Sequence, residues 1–128
     1  MSVRVVRLGT RRVPHEGLRI GTVRRPPRGV RKEQIARRDF YDVWFPVLAP
    51  SVKTMTAFRS ERSDLAWRRF VQAYRREMAR PDARHALELL AALSHRTDFS
   101  VGCYCEDEAR CHRSLLRQLL EERGAALA

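Results

Sequence analysis

The stretch from Phe99 to Leu116 constrains this chain most. It carries all three cysteines, Cys103, Cys105 and Cys111, within nine residues, and His112 and Arg113 follow at once. Phe99, Val101, Cys103 and Cys105 alternate with Ser100, Gly102 and Tyr104, the period of a strand. Leu115, Leu116, Leu119 and Leu120 recur at helical spacing. The acidic run Glu106-Asp107-Glu108 separates the two patterns. The stretch therefore reads as a strand over 99–105, a turn, and a helix from about Cys111 to Arg123 that stops at Gly124. In open α/β sheets ligands bind at such junctions, outside the carboxyl ends of strands.

The remaining chain supplies what such a unit needs. Residues 3–8 and 18–24 read as two further strands, with Gly21 marking a bulge or a close backbone approach. Pro26-Pro27-Arg28-Gly29 ends the second strand, because proline has no N–H to give to a ladder. Residues 31–45 mix helical spacing with aromatics and read as a helix that ends at Pro46. Ser51 is an expected N-cap for a helix over Val52, Met55 and Phe58, and Asp64 for the helix from Leu65 to Ala79. The latter places Trp67, Phe70, Val71, Tyr74 and Met78 on one apolar face. Pro81 ends it and, with Asp82, opens another helix over 83–93. The order β, β, helices, β, helix predicts one α/β domain over residues 1–128, a small, mostly parallel sheet of few strands flanked by helices.

Chain length fits one domain with a real core. No apolar run approaches the roughly 18–20 residues of a membrane span, and the Arg-rich start lacks the apolar centre of a signal peptide. The expected location is the cytoplasm, where thiols stay reduced and serve metal binding, catalysis or packing. Net charge is +11, of which residues 1–38 carry +10. That asymmetry suggests a polyanion or a phosphorylated ligand. Of the 26 basic residues 24 are arginine, a skew that a GC-rich genome also produces, and no aromatic series interleaves them as single-strand binders require.

Three chemistries are open at the junction. A thiolate at Cys111 would gain from the helix amides, His112 and Arg113, making Cys111 a candidate nucleophile and His112 its proton carrier. Counted from Cys103 or Cys105 the spacing is not the Cys-(x)5-Arg loop of thiol phosphatases, since neither has an arginine six residues on, and this disfavours a thiol-phosphate step at those two residues. Metal ligation by Cys103, Cys105, Cys111 and His112 is the weaker reading. The spacing matches neither zinc ribbon nor knuckle, and adjacent helical residues diverge by about 100°. No metal or cofactor is therefore assigned. Anion binding asks least. Arg113 and Cys103 at the junction, with Arg24, Arg25 and Arg28 at the end of the second strand, share one sheet edge if the strands run parallel. His15, His85 and His95 have no catalytic companions, and Trp67, Phe70 and Tyr74 read as core.

Several segments together resemble the domain of unknown function 488 family, in particular its YeaO-like branch. They are Leu18 to Arg25, Pro27 to Glu33, the Ala49-Pro50-Ser51 turn, the helix carrying Trp67, Phe70, Tyr74 and Glu77, and Cys103 with Cys111-His112-Arg113. Arg24-Arg25-Pro26 departs from the branch, which has Asp-Arg-Leu-Trp-Pro there. The resemblance implies an α/β fold and no set activity, with Glu77 a lesser candidate for orienting an arginine. The expected function is a cytoplasmic protein with a Cys-His-Arg site for a phosphate- or nucleotide-like anion, with enzymatic chemistry open. The alternative is a non-enzymatic nucleic-acid-binding accessory protein that uses its basic N-terminal third.

Overall fold

A computed structural model describes residues 1–128. Four parallel strands, β1 (Val3–Arg7), β2 (Leu18–Gly21), β3 (Val43–Trp44) and β4 (Phe99–Cys103), form a sheet in the order β1-β4-β2-β3. Four helices, α1 (Val52–Glu61), α2 (Asp64–Met78), α3 (Pro81–Leu93) and α4 (His112–Glu122), complete the expected α/β class. None is long and apolar enough to cross a membrane.

β4 is buried along its whole length, as a strand with a neighbour on each side and both faces covered must be. Its Phe99 and Val101 share a face with Val3 and Ile20, and that face packs on Phe70, Tyr74 and Met78 of α2, Leu87 and Leu90 of α3, and Leu115, Leu116, Leu119 and Leu120 of α4. Full burial of each large apolar side chain here contributes about 1.5–3 kcal/mol. Ser51 caps α1 as its sequence suggests, its Oγ accepting from Thr54 N–H. The cap of α2 is Ser63 rather than Asp64, which begins the helix and is left free to pair with Arg110. Gly124 takes φ +78° just beyond α4, where a residue with Cβ would be strained.

The second sheet face carries no helix, and the expected helix over 31–45 is not formed. A single 3-10 turn at Lys32–Gln34 leads through left-handed Asp39 to β3, which pairs with β2 at Ile20 and Gly21. The apolar residues that suggested a helix instead cover the sheet. Tyr41 lies so close over Gly21 that a Cβ there would stand 2.4 Å from its ring. The close approach expected at Gly21 is thus to a side chain. Both β2 and β4 are shorter than their alternation suggested, and the residues beyond Gly21 and Cys103 turn away to build the cleft described below.

On the same face Arg19 is wholly buried in β2 and forms a bidentate pair with buried Glu16, at 2.7 and 2.9 Å. Its Nη1 donates to the carbonyls of Thr10 and Asp39, and Ser100 Oγ of β4 donates to Glu16. The pair thereby fastens two loops to the sheet. Burial opposes ionisation of Glu16, but the donors from Arg19, Ser100 and Val13 outweigh it and hold the carboxyl at about 2, against its ordinary 4.5. A depressed carboxyl pKa contributes stability above the unfolded value and loses it as pH falls through the folded value. Replacing Glu16 by Gln should therefore cost about 3 kcal/mol or more near neutral pH. In urea titrations the gap between wild type and Glu16→Gln should shrink as pH falls from about 4.5 toward 2. A pH-independent gap would contradict the ionised pair.

Candidate functional site

Because β2 and β4 are adjacent and parallel, their carboxyl ends deliver two chain segments to one place. Thr22, the residue after β2, still pairs with β4: its N–H and Oγ both donate to Gly102 O, at 3.0 and 2.9 Å. Beyond it Val23 to Arg28 forms one wall of a cleft of about 1000 Å³. The strand-to-helix junction from Cys103 to His112 forms its floor and a second wall, and α1 with its C-cap supplies the third through Met55, Phe58, Arg59 and the capping Arg62.

The floor is a cluster of sulfur and imidazole. Cys103 ends β4, and Cys105, two residues on, places its Sγ 3.7 Å from that of Cys103. Cys111 is the N-cap of α4 with extended backbone, φ −124° and ψ 152°, so it is outside the helix that His112 begins. The divergence expected for two adjacent helical residues therefore does not arise, and Cys111 Sγ lies 3.9 Å from His112 Nδ1. Cys103, Cys111 and His112 are buried, and their ligand atoms all fall within 4.8 Å of one another. His112 Nε2 is 2.7 Å from Thr22 O. A carbonyl only accepts, so Nε2 carries a proton, and Nδ1 is the ring nitrogen on the side of the Cys111 sulfur.

The three thiols do not behave alike. Hydrogen bonds from Cys103 and Cys111 stabilise a thiolate at Cys105 against its partial burial, and nearby His112 and Arg113 add to this, lowering its pKa. Hydrogen bonding to Cys103 and Cys105, together with burial, pushes the Cys111 thiol up. The direction is opposite to the one expected for Cys111 at the helix start. Cys111 is enclosed by its sulfur neighbours, and the negative charge settles on the most exposed of the three.

The other anticipated residues divide. Arg24, Arg25 and Arg28 share the cleft with Cys103, Cys111 and His112. Arg24, however, donates to the carbonyls of Ala49 and Pro50, tying the turn before α1 to the end of β2. Arg25 and Arg28 are exposed at the rim, where Tyr104 OH donates to Arg25 O at 2.9 Å. Arg113 does not line the cleft. It is only 4% exposed, donates through Nη2 to Cys105 O, and its Nε has no partner. Glu77 orients no arginine in the cleft; it accepts from Ser51 N–H, Ser51 Oγ and Thr54 Oγ1 and so fixes the start of α1. Arg59, Arg62 and Arg110 were not anticipated. Their placement requires α1 and the junction loop to fold over the strand ends, which no local pattern announces. In all, six arginines face the cleft against the carboxylates of Asp64, Glu106 and Asp107, and Arg110 is paired with Asp64.

In reduced protein held in chelator, pH-dependent alkylation followed by mass spectrometry should label Cys105 first and Cys111 last. Arg113→Met should raise the apparent pKa of Cys105. Labelling of Cys111 ahead of Cys105 would contradict the arrangement.

A family model described as "DUF488-N3a: Active DUF488-N3 subclade" matches residues 3–124. No curated protein and no solved structure gives a significant match. The matched range holds all four strands, all four helices and every residue of the cleft. The chain belongs to the domain of unknown function 488 family.

Proposed function

We propose that the cleft binds a phosphate-bearing ligand of about nucleotide size, and that the cluster of Cys103, Cys105, Cys111 and His112 beneath it is the reactive end of an enzyme site. The observation that carries this reading is the meeting of two sequence-distant groups in one cavity, the arginines of the 24–28 loop and the sulfur-imidazole floor. The volume of about 1000 Å³ lies at the upper end of small-ligand sites, which run to roughly 1,000 Å³. Arginine presents a planar fork suited to phosphate oxygens, and the excess of arginine over carboxylate leaves the cleft electropositive. Apolar side chains of Val23, Met55, Phe58 and Phe70 give a base or sugar a surface to pack on. The description of the matched subclade as active accords with an enzyme. Arg25, Arg28, Arg59 and Arg62 are the ligand-facing cations of this reading. Arg24 holds the wall in place, and Arg113 acts from behind the floor.

The alternative, sequence-independent contact of the basic N-terminal third with nucleic acid, makes a different prediction. A ligand held in the cleft should bind with weak salt dependence, and Arg28→Glu and Arg62→Glu should each weaken nucleoside di- or triphosphate binding about tenfold or more in calorimetry. Affinity that rises with oligonucleotide length, falls steeply with salt and ignores Arg62→Glu would replace the cleft reading with the nucleic-acid one.

A further inference from the structure

We propose that Cys103, Cys105, Cys111 and His112 together hold one divalent ion of zinc type, bound through three sulfurs and the Nδ1 of His112. With four protein ligands the ion has no open position, so it would brace the floor as a structural site, and the reactive role proposed above would belong to the metal-free thiols; the inference stands whether or not an anion occupies the cleft.

Four observations carry it. The first is spacing. With Zn–S bonds of about 2.3 Å, two sulfurs on a tetrahedral ion stand about 3.8 Å apart. Cys103 and Cys105 already stand at 3.7 Å. That separation is far outside the roughly 2.05 Å of a disulfide. The Cys111 Sγ to His112 Nδ1 distance of 3.9 Å needs only a few tenths of an ångström of closure to reach a tetrahedral sulfur–nitrogen edge, about 3.5 Å for bonds of about 2.3 and 2.05 Å.

The second is the tautomer. Metal-ligating histidines give their other ring N–H to a carbonyl or carboxylate, which fixes the ring and leaves the ligating nitrogen bare. His112 has this arrangement before any ion is considered, with Nε2 on Thr22 O at 2.7 Å. Tyr74 packs against the ring, with centroids 5.6 Å apart, and further fixes its plane.

The third is charge. Arg113 is buried with no carboxylate partner and an unpartnered Nε, an arrangement that costs several kcal/mol unless an opposite charge lies close by. Three thiolates on a divalent ion carry a net charge of about −1 together. The guanidinium that donates to Cys105 O would balance it. The fourth is rigidity. Cys103 is fixed by a central strand and Cys111 and His112 by the start of a helix, so three ligands are preorganised. Only Cys105 belongs to a loop, and it is the exposed one of the three cysteines. The ligand spacing matches no ribbon or knuckle because the ligands come from a strand end and a helix N-cap rather than from two hairpin turns.

The test uses the full, untagged chain, reduced and stripped with chelator, then titrated with Zn²⁺ against a chromophoric competitor and separately with Co²⁺. The expected result is one ion per chain and a cobalt spectrum with tetrahedral d–d bands and strong sulfur-to-metal charge transfer. Cys105→Ser replaces the exposed loop ligand and leaves the core alone. It should lower the charge-transfer intensity in proportion to the lost sulfur and weaken zinc by more than the roughly 10–100-fold typical of outer-shell changes. Arg113→Met should weaken zinc within that 10–100-fold range while keeping the cobalt spectrum. One equivalent of Zn²⁺ should also protect all three wild-type thiols from alkylation, a readout that needs no variant to fold. An octahedral cobalt spectrum, unchanged zinc affinity in Cys105→Ser, or thiols that alkylate equally fast with and without zinc would each overturn the proposal.

Discussion

The parallel pairing of β2 with β4 is the constraint on which the rest of the structure depends. Its last link is Thr22, whose N–H and hydroxyl both reach Gly102 O and whose own carbonyl receives His112 Nε2. One buried residue therefore joins the end of one strand to the end of its neighbour and to the first residue of α4. The junction is tight because both strands carry glycine there. A Cβ at Gly102 would stand 2.6 Å from Val6 O, and one at Gly21 would enter the Tyr41 ring. Any side chain at either position would push the strands or their covering loop apart, and the imidazole would lose the carbonyl that sets its tautomer.

The two faces of the sheet are covered by different physics. The helical face is apolar, and its stabilisation comes from area removed from water. The opposite face is covered by loops around a smaller apolar cluster that includes Leu8, Ile35 and Tyr41, and Arg19 with Glu16 fastens two of those loops to the sheet. A buried ion pair is a weak source of net stability, but removing either partner is costly because the other is left charged in a dry place. Here the pair satisfies loop carbonyls as well as itself, so it specifies where two irregular segments lie. Arg113 presents the opposite situation, a buried cation with no carboxylate partner, which donates to the Cys105 carbonyl and leaves its Nε unpartnered.

The architecture and the strand-to-helix junction were legible in the sequence because both rest on short-range patterns. Alternation at Phe99 to Cys103, helical spacing in α2, and the Pro81 and Gly124 boundaries each carry their own signal. What was not legible depends on long-range placement. Residues 31–45 carry the apolar content of a helix, but the sheet face they cover, with bare glycine at Gly21, draws Tyr41 down and leaves only a 3-10 turn. Glu16 and Arg19 read as ordinary surface charges until strand and loop are put together. At the site, the junction and the 24–28 arginines could be anticipated as neighbours because parallel strands end on the same side. The ranking of the thiols could not, since it turns on Cys111 being an N-cap with extended backbone. Nor could the role of α1, whose arginines enter the cleft only because Glu77 and Arg24 hold the Ala49-Pro50-Ser51 turn beneath it.

The central claim is that the 24–28 loop and the 103–112 junction form one site. Backbone amide NMR of the full chain titrated with pyrophosphate tests this most directly. The account predicts that amides of Arg25, Arg28, Tyr104, Cys105 and Cys111 shift together along curves with one shared midpoint, as do those of Arg59 and Arg62 on the α1 wall. Shifts confined to exposed arginines elsewhere in the first 38 residues, or distinct midpoints for the loop and the junction, would contradict it.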